Sequence, residues 1–171
     1  MLEGGLRLSH SVQVVKDFKP DEIVEIPAVG LETKRLVCFE DKGFCRYYIG
    51  IRGPQKPCEW VYMSTETLQL LQKHAGRAVD RRNVTRYAKR HSLLAPKTMC
   101  KVSWRILVQA VPREVARFIQ SRFGELKISG ARYEDLLSEA DIYYSKYLEK
   151  LRELVYSYHV SESRERYTSS Q

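Results

Sequence analysis

Glu59-Trp60-Val61-Tyr62-Met63-Ser64-Thr65-Glu66-Thr67-Leu68-Gln69-Leu70-Leu71 is the stretch in which the chain changes its hydrophobic period. Its first part is dense in aromatic and β-branched residues that suit a pleated, half-buried surface, so 59–62 reads as a short strand. From Ser64 the period is helical. Ser64 or Thr65 can cap a helix carrying Leu68, Leu70 and Leu71, and Gly76 can end it. On the amino-terminal side, Arg35-Leu36-Val37-Cys38-Phe39 and Arg46-Tyr47-Tyr48-Ile49-Gly50-Ile51 flank Glu40-Asp41-Lys42-Gly43, the pattern of a β-hairpin.

A short helix over 6–18, stopped by Pro20, and an irregular connector through Pro27 precede that hairpin, and a loop over 52–57 follows it. Everything beyond Ser64 reads as helix. Asp80 can cap a helix over 81–91, Pro96 sets off one over 97–110, and Pro112 opens a shorter one to about 122. The last helix, over 132–158, repeats Leu137, Ala140, Tyr144, Tyr147, Leu148, Leu151 and Val155 on one face. The expectation is an α+β fold: one domain over 1–160, a small antiparallel three-stranded sheet at one side of a mostly helical body, and a disordered polar tail over 161–171.

At 171 residues and 43% hydrophobic content, one core fits the chain better than two. No run of eighteen apolar residues occurs and the start lacks the apolar segment of a secretory signal, so a soluble, cytoplasmic protein without a membrane partner is expected. Residues 134–171 hold eight acids and five Lys and Arg, a net of −3, so of the total +8 residues 1–133 carry +11. A polyanion such as double-stranded DNA is the natural partner for that imbalance. Helix 81–91 concentrates it: Arg81, Arg82, Arg86, Lys89 and Arg90 stand without one acid and with Tyr87 interleaved, which favours a phosphate-tracking face over a merely solvated one. Cys38, Cys45, Cys58 and Cys100 form no CxxC and have no histidine at ligand spacing, so no metal or cofactor is expected. The four read as reduced thiols, although Cys38 and Cys45 could face each other across the hairpin and pair in an oxidising compartment or a hyperthermophile.

Five sites then fall in a telling order: Arg7 in Gly4-Gly5-Leu6-Arg7-Leu8-Ser9, Lys34 in Glu32-Thr33-Lys34-Arg35-Leu36-Val37, Lys97 in Lys97-Thr98-Met99-Cys100, Arg122 in Phe118-Ile119-Gln120-Ser121-Arg122, and Tyr133 in Ala131-Arg132-Tyr133-Glu134. The pattern resembles the catalytic domain of tyrosine site-specific recombinases (phage-type integrases), and most closely the integrases of archaeal viruses and plasmids. The resemblance covers nearly the whole chain. It implies DNA integration by cutting and rejoining strands through a 3′-phosphotyrosine at Tyr133, without cofactor. Arg7 and Arg122 would bind the phosphate, Lys97 would take the family's His-or-Lys place, and Lys34 or Arg35 would be the general acid. It also implies that protomers exchange carboxy-terminal segments, hence self-association on DNA through the last helix.

The chemistry needs these residue types. An attacked phosphodiester carries charge on its non-bridging oxygens, which arginine forks neutralise with two parallel bonds. A phenol with an ordinary pKa of about 10 is a poor nucleophile until nearby positive charge favours its phenolate. Position 100 is degenerate, because the family has its second clamping arginine where this chain has Cys100. One such lost donor costs roughly 10²–10³ in rate. Lys101 points off another helical face and Arg105 lies more than a turn away, so weak or absent turnover is expected. Relative to the family the chain also begins late, which the resemblance reads as a provirus fragment.

Taken singly, each residue has an ordinary reading. Arg7 and Lys34 can decorate a surface, Lys97 is a commonplace lysine after a proline, Arg122 suits a helix carboxy-terminus, and Tyr133 is one of eleven tyrosines. A non-catalytic DNA-binding remnant, a helical transcription regulator, and a partner docking on intact recombinase protomers are the rival functions.

Overall fold

The computed structural model describes residues 1–51, 57–122 and 129–168, with side chains as far as 154 and at 156. The elements are α1 (Leu8–Lys16), β1 (Ile23–Ile26), β2 (Leu31–Lys34), β3 (Leu36–Phe39), β4 (Phe44–Ile51), β5 (Cys58–Ser64), α2 (Thr65–His74), α3 (Arg81–Arg90), α4 (Pro96–Ala110), α5 (Arg113–Ile119) and α6 (Gly130–Thr168). The architecture is α+β. The change of period at Ser64 marks a real boundary: its hydroxyl accepts from Thr67 N at 3.1 Å, closing β5 and capping α2.

Strands β3, β4 and β5 form an antiparallel sheet in that order, with Tyr47 opposite Val61 and Tyr48 opposite Trp60. The register shifts between Tyr48 and Ile51, where Gly50 takes a φ of +65°. The connector before β3 contains a further hairpin, β1 paired with β2 from Ile23↔Lys34 to Ile26↔Leu31. Its strands are four residues long with Ile23 and Leu31 exposed, so no apolar alternation announces them. Of the loop expected over 52–57, residues 52–56 lie outside the described residues.

The sheet is not at one side of the helices but between them. Phe44 and Tyr48 of β4, with Trp60 and Tyr62 of β5, pack into a core completed by α4, α5 and α6. Cys45, Tyr47, Val61 and Met63 face the other way, against Leu6, Val14 of α1 and Leu68 and Leu71 of α2. A strand buried on both faces reads as a continuous apolar run, as 44–51 largely does, and not as an alternating one. The charged exception is Arg46, which crosses to pair with Asp141 of α6, while Tyr62 donates to the same carboxylate at 3.1 Å. Burial pushes the Asp141 carboxyl up, against the opposing pull of Arg46.

Two expectations are corrected, and the last helix runs past its expected end. Cys38 and Cys45 are opposite each other in register and joined as a disulfide, so two of the four cysteines are not free thiols. Helix α5 stops at Ile119, three residues short of Arg122, because Ser121 turns left-handed at φ +49° and closes a Schellman end: Ser121 N donates to Phe118 O and Arg122 N to Arg117 O, both at 2.8 Å. Helix α6 continues to Thr168, past the expected helix end at 158. No glycine or proline follows Gly130 before that point, so nothing in the sequence breaks the ladder.

Among the described residues no helix is long and apolar enough to cross a membrane.

Candidate functional site

Helix α3 is started by Asp80, whose carboxylate accepts from Arg82 N at 2.7 Å, and only Ala88 of the helix is buried. Its cations therefore project outward. Arg81, Arg82, Arg86 and Lys89 line one wall of an open groove of about 800 Å³, and Arg7, at the start of α1, lines the other. Arg90 is exposed but does not line this groove. Asp80 is the acid that does, held there by its capping bond.

Two of the expected positions, Cys100 and Arg122, come together beside Arg7. Cys100, in the second turn of α4, donates its thiol to Leu6 O at 2.9 Å, which fastens α4 to the Gly-Leu-Arg turn. Burial pushes that thiol up, against the opposing pull of nearby cations that include Arg7 and Arg122. Arg122 stands just past the left-handed Ser121, with its guanidinium carbon 4.3 Å from the centre of the Trp104 ring. Burial first, and the Arg7 guanidinium second, lower its hold on its proton. No carboxylate pairs with Arg7 or Arg122 among the described residues. Two neighbouring guanidinium groups without a counter-ion favour an anion between them.

The turn itself is built on glycine. Gly5 has a φ of +61°, and a Cβ there would come within 2.1 Å of Gln120 Nε2, so the Gln120 side chain lies directly against the glycine backbone. Gln120 is buried and makes two bonds: its Oε1 accepts from Arg122 Nε at 2.7 Å and its Nε2 donates to Ser103 Oγ at 3.0 Å. The chain continues from Ser103 Oγ to Tyr147 OH at 2.9 Å, and Tyr147 OH donates to Leu2 O at 2.8 Å.

Tyr133 has its own set of partners. It is the fourth residue of α6, and its ring packs edge-on against Phe118 with 5.3 Å between centroids. Its hydroxyl donates to Glu59 Oε2 at 2.6 Å and accepts from Trp60 Nε1 at 2.8 Å. Burial first and the Glu59 carboxylate second push the phenol far above its ordinary range. Among the described residues the Glu59 carboxylate is the charged group that its hydroxyl touches. The phenolate expected beside a positive cluster is therefore disfavoured.

The two remaining cations are exposed. Lys34 ends β2 and Lys97 lies in the first turn of α4, and neither side chain has a hydrogen bond or ion pair among the described residues. Arg35, the alternative to Lys34, is engaged: it pairs with Glu22 and donates from Nε to Tyr48 O at 3.0 Å. Reading by position missed Glu59, Trp104 and Gln120. Trp104 lies one turn after Cys100 on α4, a spacing that places both on one face. Gln120 was visible only as a neighbour of Arg122, and nothing local distinguishes Glu59.

Among the described residues no three His, Cys, Asp or Glu side chains gather as a metal site. No curated protein matches the chain, whereas the family model for archaeal phage integrases matches residues 1–150. That match spans most of the 171 residues, and the chain belongs to the archaeal phage integrase family.

Proposed function

We propose that this chain is the DNA-binding and strand-transfer domain of a tyrosine recombinase, seating duplex DNA in the groove between α1 and α3 with one backbone phosphate at Arg7 and Arg122. The observation that carries this reading is that Arg7 belongs both to the α3 groove and to the pair of guanidinium groups without a carboxylate. Arg81, Arg82, Arg86 and Lys89 track the phosphates and supply affinity without reading sequence. In the chemical step the Tyr133 oxygen attacks phosphorus and its proton passes to solvent water. A 3′-phosphotyrosine forms, the bond to the 5′ oxygen breaks, and that oxygen takes a proton from Lys34, with Lys97 beside the phosphate. Tyr133 must first exchange Glu59 and Trp60 for the phosphate. On DNA the protomers associate through α6.

Cys100 leaves this clamp with two guanidinium groups where the family resemblance implies three elements, so turnover is weak. The test uses nicked suicide duplexes that tile the chain's own gene and its flanks, scored for a covalent protein–DNA adduct. The expected result is little or none with the natural chain, a clear adduct with Cys100→Arg, and none with Cys100→Arg combined with Tyr133→Phe. An adduct indifferent to Tyr133→Phe would end the assignment of the nucleophile.

A second reading, a DNA-binding protein without strand chemistry, is favoured by one observation: the Tyr133 phenol is buried and donates to the Glu59 carboxylate. It requires that Cys100→Arg stay inert while duplex binding persists.

A further inference from the structure

Arg122 is held at two of its three sides. Its Nε–H is occupied by Gln120 at 2.7 Å, and one face of the guanidinium lies 4.3 Å from the Trp104 ring centroid. What is left is the edge carrying the two terminal nitrogens, the edge that binds a phosphate through parallel bonds. An arginine side chain rotates freely about several bonds, so an unrestrained one loses part of its binding energy to ordering. A restrained one does not. The group doing the restraining is itself restrained: Gln120 is buried, packed on Gly5, and bonded through Ser103 and Tyr147 to the backbone at Leu2.

The direction of these bonds matters. The Gln120 amide presents its oxygen to Arg122 and its NH2 to Ser103, so it cannot flip without facing an N–H toward Arg122 and a carbonyl toward a hydroxyl already committed to Tyr147. The same Gln120 touches Gly5, two residues before Arg7. One side chain thus contacts the turn carrying one arginine and holds the other.

We propose that Gln120 is a positioning residue that aims the terminal nitrogens of Arg122 at the phosphate shared with Arg7, making a two-arginine clamp that works without an arginine at position 100. This deepens the strand-transfer reading and rests on it, but the clamp can be probed with a simple anion. Inorganic phosphate is titrated into the full chain while the arginine Nε–H signals of Arg7 and Arg122 are followed by NMR. In the natural chain the Arg122 Nε–H should exchange slowly with water, and both signals should move together on titration.

Gln120→Met keeps the volume and removes both bonds; it should expose the Arg122 Nε–H to fast exchange and weaken phosphate about tenfold. Arg122→Lys removes the fork. In that background Gln120→Met should cost no further affinity, because a residue acting through Arg122 has nothing left to aim. Gln120→Glu supplies a second check: an acceptor is kept, but its charge pairs with Arg122, so phosphate should again weaken while Nε–H exchange stays slow. Unchanged phosphate affinity in Gln120→Met, an equal loss in both backgrounds, or no response of Arg122 to phosphate in the natural chain would overturn the proposal. A responsive clamp in a protein that never forms an adduct would instead remove the strand chemistry and leave the clamp standing.

Discussion

At Tyr133 one hydroxyl contributes to how the chain responds to alkali. Its folded pKa is raised above the ordinary value near 10, first by burial and then by Glu59, so the folded state keeps this proton after the unfolded chain has lost it. The sign follows from proton counting: stability is fully present below about pH 10 and falls as pH rises beyond it. Tyr62, Tyr144 and Tyr147 are shifted in the same direction, each chiefly by burial, and they steepen the fall. Tyr133→Phe should lower stability near neutrality by about 1–3 kcal/mol, since Glu59 and Trp60 lose a buried partner. Above pH 10 it should also flatten the decline, by up to about 1.4 kcal/mol per pH unit. Urea midpoints between pH 8 and pH 11.5 read both effects. Parallel curves for the two proteins would mean that the phenol titrates freely in the folded state. The sequence placed this tyrosine at the head of the last helix, where it lies, but held no hint of its surroundings, because Trp60 and Glu59 come from a strand more than seventy positions away.

The elements around the groove separate charge content from charge placement. Helix α3 holds five cations, yet Arg86 and Lys89 line the groove shared with Arg7 while Arg90 does not. Removing one cation that neutralises a phosphate should lower the slope of log affinity against log salt by about 0.9. Arg86→Ala with Lys89→Ala should therefore reduce that slope by roughly 1.8, whereas Arg90→Ala should leave it nearly unchanged. Fluorescence anisotropy with a random-sequence duplex at several salt concentrations makes the comparison. Equal effects at all three positions would leave the groove no special role. Local signals sufficed for this helix: the Asp80 cap, the absence of acids and the Pro96 restart are all contiguous in the sequence, and its observed span agrees with them to one residue. They failed for β1 and β2, whose strands bury little, and for α5, whose end depends on a serine taking a left-handed backbone that glycine would have advertised. The grouping of Arg7, Cys100 and Arg122 was legible only through the family resemblance, since no spacing rule links an α1 cap, an α4 turn and the end of α5.

Across the whole molecule, helix α6 has two parts in different surroundings. Its first half closes the larger core through Tyr133, Leu136, Ala140, Tyr144, Tyr147 and Leu148, and Leu151 is the last of its described side chains to be buried. Beyond Leu151 the helix runs to Thr168, a length of about 26 Å at 1.5 Å per residue. Helices of that length are marginal in water when nothing packs against them, so an unsupported overhang would fray. Leu154 and Tyr156 are 44% and 74% exposed at its base, and Tyr156 lines a shallow cleft with Leu70 of α2, itself 60% exposed. Leu70 and Tyr156 are exposed apolar side chains beside that segment, the kind of surface through which the association proposed for α6 would run. Leu154→Asp with Tyr156→Asp should leave the core untouched, because both side chains are outside it, and should reduce the mass of protein–DNA assemblies to one protomer per duplex in sedimentation. Affinity for a short duplex that holds a single protomer should not change, since the α3 groove is built from other elements. Assemblies of unaltered mass would assign the overhang no part in association, and a loss of short-duplex binding would place it against DNA instead.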